Sequence, residues 1–329
     1  MIKLKYYYNR YFLEGQLHIA QIGTGRVGRP TAYTILCSRL ADELTVCDIK
    51  PGLAKAFAEE LKHVSASLNL DTRINYCERD EDVSGADIIL ISAGKPRVPG
   101  VSMSRRDLAI ENARIVKYVS EVTASSNRGA KYVVITNPVD AMTMVCKRYS
   151  RAEFVIGTGT YVESLRLRSR LAEYFQIPVS EVSGWVGGEH GDLATVFWTT
   201  VKVYGRPLEE YLKIRGKFLE KNVIEDYVRL ITKFIIDSVG GTEYGPAAAF
   251  RDIIEAIVKD KRTYFPIDVP IRFDEIREPV YVSVPTRLGQ SLGENFYNKL
   301  SFEEKVKVLE AGKAIYRTYI EAVSNINKA

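Results

Sequence analysis

Residues 17–30, LHIAQIGTGRVGRP, decide how the chain is read. A short apolar run ends in three glycines, Gly23, Gly25 and Gly28, in G-x-G-x-x-G spacing, and a helical pattern follows over about residues 27–40. In such a turn the first glycine permits the tight bend and the second lets a pyrophosphate approach the backbone. The third lets the helix pack close to the strand. The helix N-terminus then turns its partial positive charge towards the phosphates. By itself the spacing would suit any plain turn. What sharpens it is ELTVCD, a second strand ending in Asp48, twenty residues past Gly28. A carboxylate there accepts hydrogen bonds from an adenosine ribose and repels a 2′-phosphate, so NAD is the expected cofactor. Lys50, two residues on, leaves NADP admissible.

Outward from this turn the chain alternates. LAKAFAEELKHVSASL reads as a helix, RINYCE and ADIILISAG as strands, residues 104–126 as a helix, and KYVVITNP as another buried strand. ADIILISAG is apolar on both faces, as an inner parallel strand should be. The pattern predicts an α/β fold, an N-terminal Rossmann doubly wound parallel sheet. The second half is mixed α+β. It begins with a helix over about 162–175 and continues through VSGWVGGEHGD and ATVFWTTVKVYG as strands. A long helical region at about 208–238, a shorter helix, strands near YVSVPTRLG and a closing helix at about 302–323 complete it. The expected division is a tyrosine-rich extension at 1–16, a dinucleotide-binding domain at 17–151 and a substrate-binding, catalytic domain at 152–329.

The chain has 329 residues, 46% hydrophobic and 26% charged, with a net charge of +5. That is ordinary globular composition, too evenly charged for a nucleic-acid partner. No run approaches the roughly 18 apolar residues of a membrane span, and the N-terminus does not read as a secretory signal. A cytoplasmic location is therefore expected, with Cys37, Cys47, Cys77 and Cys146 as reduced thiols. No His, Cys and Asp cluster has ligand spacing, so no metal is expected.

The basic stretch SAGKPRVPGVSMSRRDL, residues 92–108, carries Lys95, Arg97, Arg105 and Arg106 among prolines and glycines that preclude a helix or inner strand. Of three histidines, His18 opens the first strand and reads as structural, and His63 on its helix reads as packing or interface. His190, in VGGEHGD, is flanked by glycines that would let a ligand come near. Oxidising a carbinol needs a base that titrates in the histidine range, a carboxylate to hold the imidazole, and an arginine to grip the substrate. TYVESLRLRSRLAEYF supplies Glu163 and Arg166 three residues apart on one helical face, with Arg168 and Arg170 pointing elsewhere.

With these motifs in hand, the chain resembles the lactate/malate dehydrogenase family, most of all the malate dehydrogenases of lactate-dehydrogenase type. The resemblance runs from about residue 17 to 325 and rests on GTGRVG, TNPVDAMT, GGEHGD, GGTEYGPAAA and VSVPTRLG. It implies His190 as proton donor and acceptor, Arg166 as the clamp on the substrate's 1-carboxylate, and Asn137 on the substrate oxygen and nicotinamide side. Thr242 would line the pocket. The basic loop would be a closing lid whose Arg105 polarises the reacting carbonyl, with Asn112 following at the family's spacing. Cofactor contacts would fall on Gly23, Gly25, Arg26, Val27, Gly28, Asp48, Ala93, Gly94, Asn112 and Asn137. The position of Arg97 would read the substrate's far end, where an arginine matches a second carboxylate and so a small-molecule dicarboxylate. Two departures stand out: Glu163 where the family has aspartate, and a lid that is two residues longer. The resemblance also implies a homodimer or homotetramer, and malate and oxaloacetate as the reacting pair. The alternatives are a lactate or other 2-hydroxyacid dehydrogenase, an NAD-using glycosidase with a metal site, and a non-catalytic NAD-binding paralogue.

Overall fold

The computed structural model describes residues 16–95 and 105–326. The extension at 1–15 and the loop residues 96–104, Arg97 among them, lie outside the described residues. Six parallel strands lie in the order β3 (Arg73–Cys77), β2 (Glu43–Cys47), β1 (His18–Ile22), β4 (Ile88–Ile91), β5 (Lys131–Val134) and β6 (Val155–Gly157). This is the strand order of a dinucleotide-binding sheet, with the switch in direction between β1 and β4. Strands β1 and β4 are buried along their whole length because helices cover both faces. That is why HIAQI and IILI carry no polar alternation. The helices of this half are α1 (Gly28–Cys37), α2 (Leu53–Leu68), α3 (Arg105–Ser126) and α4 (Val139–Ser150).

The sheet does not end at β6. It runs on, now antiparallel, through β10 (Thr263–Ile271), β11 (Val280–Leu288), β7 (Val182–Gly188), β8 (Ala194–Val203) and β9 (Arg206–Pro207). A third partner, β12 (Leu292–Asn295), also pairs with β11. One row of register partners crosses the join: Gly157 on β6, Asp268 on β10, Ser283 on β11 and Gly188 on β7. The second half adds α5 (Tyr161–Phe175), α6 (Leu208–Arg215), α7 (Lys221–Val239), α8 (Tyr244–Val258) and α9 (Phe302–Ile326).

One apolar core joins the sheet to its covering helices. A smaller cluster, including Leu171, Phe175, Val201 and Val228, sits under α5, α6 and α7. Each fully buried Ile, Leu or Phe contributes roughly 1.5–3 kcal/mol.

Two expectations need correction. The helical region expected at about 208–238 is two helices, because Gly216 adopts a left-handed backbone (φ +57°) that ends α6. Strand β10 was not anticipated, since YFPIDVPI holds two prolines. They are tolerated because β10 meets β6 only at Asp268–Gly157, leaving few ladder positions on that side. The four cysteines are free thiols. No helix among the described residues is long and apolar enough to cross a membrane.

Candidate active site

The three glycines do three different things. Gly23 has φ +88°, and a Cβ on it would lie 2.5 Å from the Ala93 nitrogen, where the end of β4 passes over the turn. Gly28 presses on the turn itself, since a Cβ there would fall 1.9 Å from the Gly23 carbonyl oxygen. Around Gly25 the structure leaves open space, with nothing within 4 Å of a Cβ. The opening sits at the start of α1, whose N-cap Val27 contributes no side-chain hydrogen bond and whose first turn has no acidic residue. Free backbone N–H groups beside an open glycine fit a pyrophosphate.

Asp48 closes the far side. Its Oδ2 accepts hydrogen bonds from the Thr24 backbone N–H (2.8 Å) and hydroxyl (3.0 Å), and Oδ1 accepts from the Lys50 N–H. The carboxylate is thus fixed against the glycine turn, half-buried, with lone pairs left for a ribose.

Beyond β4, Gly94 leaves no room for a side chain: a Cβ would lie 2.7 Å from Thr136 Cγ2 and 3.1 Å from Asn112 Oδ1. Asn112, expected at the cofactor, braces two loops in the structure. It is buried, its Oδ1 accepts the Lys95 N–H (2.7 Å), and its Nδ2 donates to the Asn137 carbonyl (2.7 Å). It ties the root of the basic loop to the end of β5, leaving the exposed Asn137 side chain at the rim.

The candidate base follows β7. The Gly187–Gly188 pair is required by close packing, while Gly191 after the histidine keeps ordinary space around it. A Cβ on Gly187 would sit 2.2 Å from the Phe197 ring, and Gly188, at φ +88°, faces the Leu193 carbonyl. The tight turn delivers His190 to α5, where its Nδ1 lies 3.2 Å from Glu163 Oε2. The other oxygen, Oε1, accepts from Arg166 Nη1 at 3.0 Å. The longer glutamate therefore reaches the imidazole and grips the arginine as well. Glu163 is 7% exposed and His190 is 27% exposed at the side chain, so the ring has one open edge. Burial disfavours the charged imidazole, but the Glu163 carboxylate and the Asp140 charge outweigh it and raise His190 to about 9. Burial likewise opposes charge on Glu163, yet His190 and Arg166 hold it down at about 2. Arg168 donates to the Val182 carbonyl and Arg170 pairs with Glu173, so neither enters this cluster.

Beside the glycine turn lies the segment before α8. Thr242 lies half-buried there, between Gly241 and Glu243. Arg26, expected at the cofactor, pairs with Glu243 (2.9 Å) and lies against Gly240 and Gly241. The glycine turn and the Thr242 segment are thereby joined. Arg105 begins α3. His18 bonds Thr45, and His63 is exposed on α2.

Sequence reasoning missed three groups: Glu243; Asp140, whose Oδ2 accepts the His190 backbone N–H at 3.1 Å; and Asp268, in contact with Asp140. A signal existed for the last, an aspartate in the otherwise apolar YFPIDVPI.

Among the described residues no group of His, Cys, Asp and Glu could hold a metal ion.

Comparison with known proteins gives the family. The profile of the lactate/malate dehydrogenase NAD binding domain matches residues 17–154, and that of the family's alpha/beta C-terminal domain matches residues 160–325. The chain is 40% identical over 308 residues to a malate dehydrogenase of Sulfurisphaera tokodaii, covering 94% of this chain and 97% of that one. It is 30% identical to an L-lactate dehydrogenase of a Thermoanaerobacter species, covering 92% and 98%. A lactate dehydrogenase crystallised from a Medee basin deep-sea metagenome library superposes with a TM-score of 0.86 at 26% identity, covering 93% and 99%. NAD is the cofactor of the first domain, and the chain belongs to the lactate/malate dehydrogenase family of oxidoreductases.

Proposed function

We propose that this oxidoreductase is a malate dehydrogenase, interconverting malate and oxaloacetate. The observation that carries the chemistry is Glu163, with one oxygen on His190 and the other on Arg166. Bound NADH supplies the hydride for reduction, and NAD+ accepts it in the reverse direction.

Because Nδ1 of His190 faces Glu163, Nε2 is the nitrogen left to exchange a proton with the substrate oxygen. An imidazole that holds its proton up to about pH 9 is charged at neutral pH, as reduction of a carbonyl requires. Oxidation of the alcohol needs it neutral, so that direction gains as pH rises. Arg166 is held in place by Glu163 and keeps further N–H groups for the substrate's 1-carboxylate.

The choice of malate over lactate rests on Arg97, which the sequence places in the basic loop. A guanidinium in a closed site needs an anionic partner, which oxaloacetate offers and pyruvate lacks. The relative of higher identity named above, a malate dehydrogenase, supports the same side. The structural neighbour, a lactate dehydrogenase, favours the second reading, in which Arg97 stays outside the pocket.

The test is kcat/KM for oxaloacetate and pyruvate with NADH. An unpaired arginine costs at least about 2 kcal/mol, so oxaloacetate should be preferred by roughly 30-fold or more. Arg97→Gln should narrow that gap. A pyruvate preference in the unmodified protein would overturn the malate reading in favour of lactate.

A further inference from the structure

Behind the candidate base lie two acidic side chains that the cofactor turn and the imidazole–carboxylate–guanidinium cluster do not use. Asp140 on α4 is 1% exposed and Asp268 on β10 is 0% exposed. Asp268 occupies the register row that joins the two halves of the sheet, between Gly157 and Ser283. Gly157 makes room for it: a Cβ there would fall 2.0 Å from Asp268 Oδ2 and 2.4 Å from Thr143 Oγ1.

The hydroxyls nearby are engaged elsewhere. Thr143 donates to the Val139 carbonyl, and Ser283 is hydrogen-bonded to Thr160. Neither oxygen of Asp268 has a donor at hydrogen-bonding geometry, although the Gly159 N–H contributes a favourable field. What Asp268 faces is Asp140. Asp140 in turn accepts the His190 backbone N–H, at 3.1 Å to Oδ2 and 3.4 Å to Oδ1.

Two carboxylates in contact, buried and with no cation between them, cannot both stay ionised. The charged groups around them are Glu189 and His190 after β7, and Glu163 and Arg166 on α5. Arg166 is already paired with Glu163. Burial pushes both aspartates above the ordinary range, and Asp268 pushes Asp140 further. One proton placed between them would supply the donor that Asp268 lacks and leave a single negative charge for the site.

We propose that Asp140 and Asp268 share one proton and act together as a positioning unit for His190. The shared proton locks α4 to β10. Asp140 holds the His190 backbone N–H, and the pair's single remaining charge steadies the protonated ring. Asp140 and Asp268 touch no reacting atom; they act through the histidine. The proton sharing stands without the dehydrogenase reading, and only its catalytic consequence rests on that reading.

The test uses the full-length protein without substrate. Infrared spectra near neutral pH should show the carbonyl stretch of a buried, protonated carboxylic acid. The band should vanish in Asp268→Asn and in Asp140→Asn, each of which leaves one charged carboxylate beside an amide, and persist in Asp252→Asn. Absence of the band in the unmodified protein overturns the proposal without any variant, and so does its survival in both Asn variants.

The second readout is the His190 imidazole titration followed by NMR, its signal assigned by loss in His190→Asn. Asp140→Asn, which leaves the charge on the more distant Asp268, should lower that titration by about 0.5 pH unit or more, a threefold change in the protonation equilibrium, whereas Asp268→Asn, which leaves Asp140 charged, should not lower it. An unmoved titration in Asp140→Asn overturns the positioning role. If band and titration behave as expected while neither oxaloacetate nor pyruvate is turned over, the carboxyl pair stands and the malate reading falls.

Discussion

Replacing Glu163 by glutamine separates the two jobs this residue does. The amide keeps the size and can still meet Arg166 or the imidazole, but it carries no charge. In the intact site the rise of His190 from 6.5 to about 9 corresponds to roughly 3 kcal/mol of preference for the charged ring. Glu163 supplies the largest favourable share of that preference, while burial and Arg166 oppose it. Without the carboxylate, the ring should titrate at or below its ordinary value.

At pH 8 a histidine of pKa about 9 is about 90% protonated, and one of pKa about 6.5 only about 3%. Glu163→Gln should therefore lose roughly 30-fold in keto-acid reduction at pH 8. Near pH 5.5 both forms are charged, and the deficit should shrink to whatever misorientation costs. The assay is kcat/KM for reduction across pH 5 to 10, with NADH binding followed by fluorescence to confirm an intact cofactor site. A deficit that is the same at every pH would refute the reasoning, because Glu163 would then orient the ring without setting its charge.

The same pair makes a stability prediction of definite sign. His190 is raised, so its contribution is complete below about pH 6.5 and is lost as pH climbs through about 9. Glu163 is lowered, so its contribution is present above about pH 4.5 and is lost as pH falls towards about 2. The Tm gap between the unmodified protein and Glu163→Gln should be widest near pH 5 to 6.5 and narrower on either side. Gly25→Ala should leave Tm within a degree or two, since the new methyl meets no protein atom, yet weaken NADH binding by about tenfold. Equal NADH affinity in that variant would place the pyrophosphate elsewhere. Asp48→Ser removes the charge that faces the ribose and should raise the NADPH to NADH ratio of kcat/KM by about tenfold or more. An unchanged ratio would mean Asp48 serves the Thr24 turn alone.

What the sequence revealed is what local spacing encodes. The glycine turn, α2 and the Glu163–Arg166 face each lie within one element or one turn of it, so periodicity and spacing suffice. The candidate histidine was legible because a buried strand ends in its loop. Strand β10 was hidden by the prolines that its sparse pairing permits. The partners that matter most at long range were hidden for a different reason. Arg26 with Glu243, and Asp140 with Asp268, meet only when the second half folds back on the first, and no local pattern carries that. The bracing role of Asn112 was hidden in the same way. Its helix was anticipated, but which two loops its amide would tie depended on how β5 and the Lys95 backbone lie beside it.

The row from Gly157 through Asp268 and Ser283 to Gly188 has a consequence for how the molecule is assembled. The two halves share one sheet, so they are not beads that can be made separately and docked. A chain divided after β6 would leave the open edge of that strand on one piece and the Asp268 face of β10 on the other. Bare strand edges of that kind invite pairing with the wrong neighbour. The β6–β10 join also links residues roughly a hundred positions apart, a closure that comes late and slowly as a chain folds. During synthesis the first half must therefore wait with its last strand uncovered until β10 has emerged. Only then do Asp140 and Asp268 meet, and the candidate base acquires its footing as the sheet is sealed.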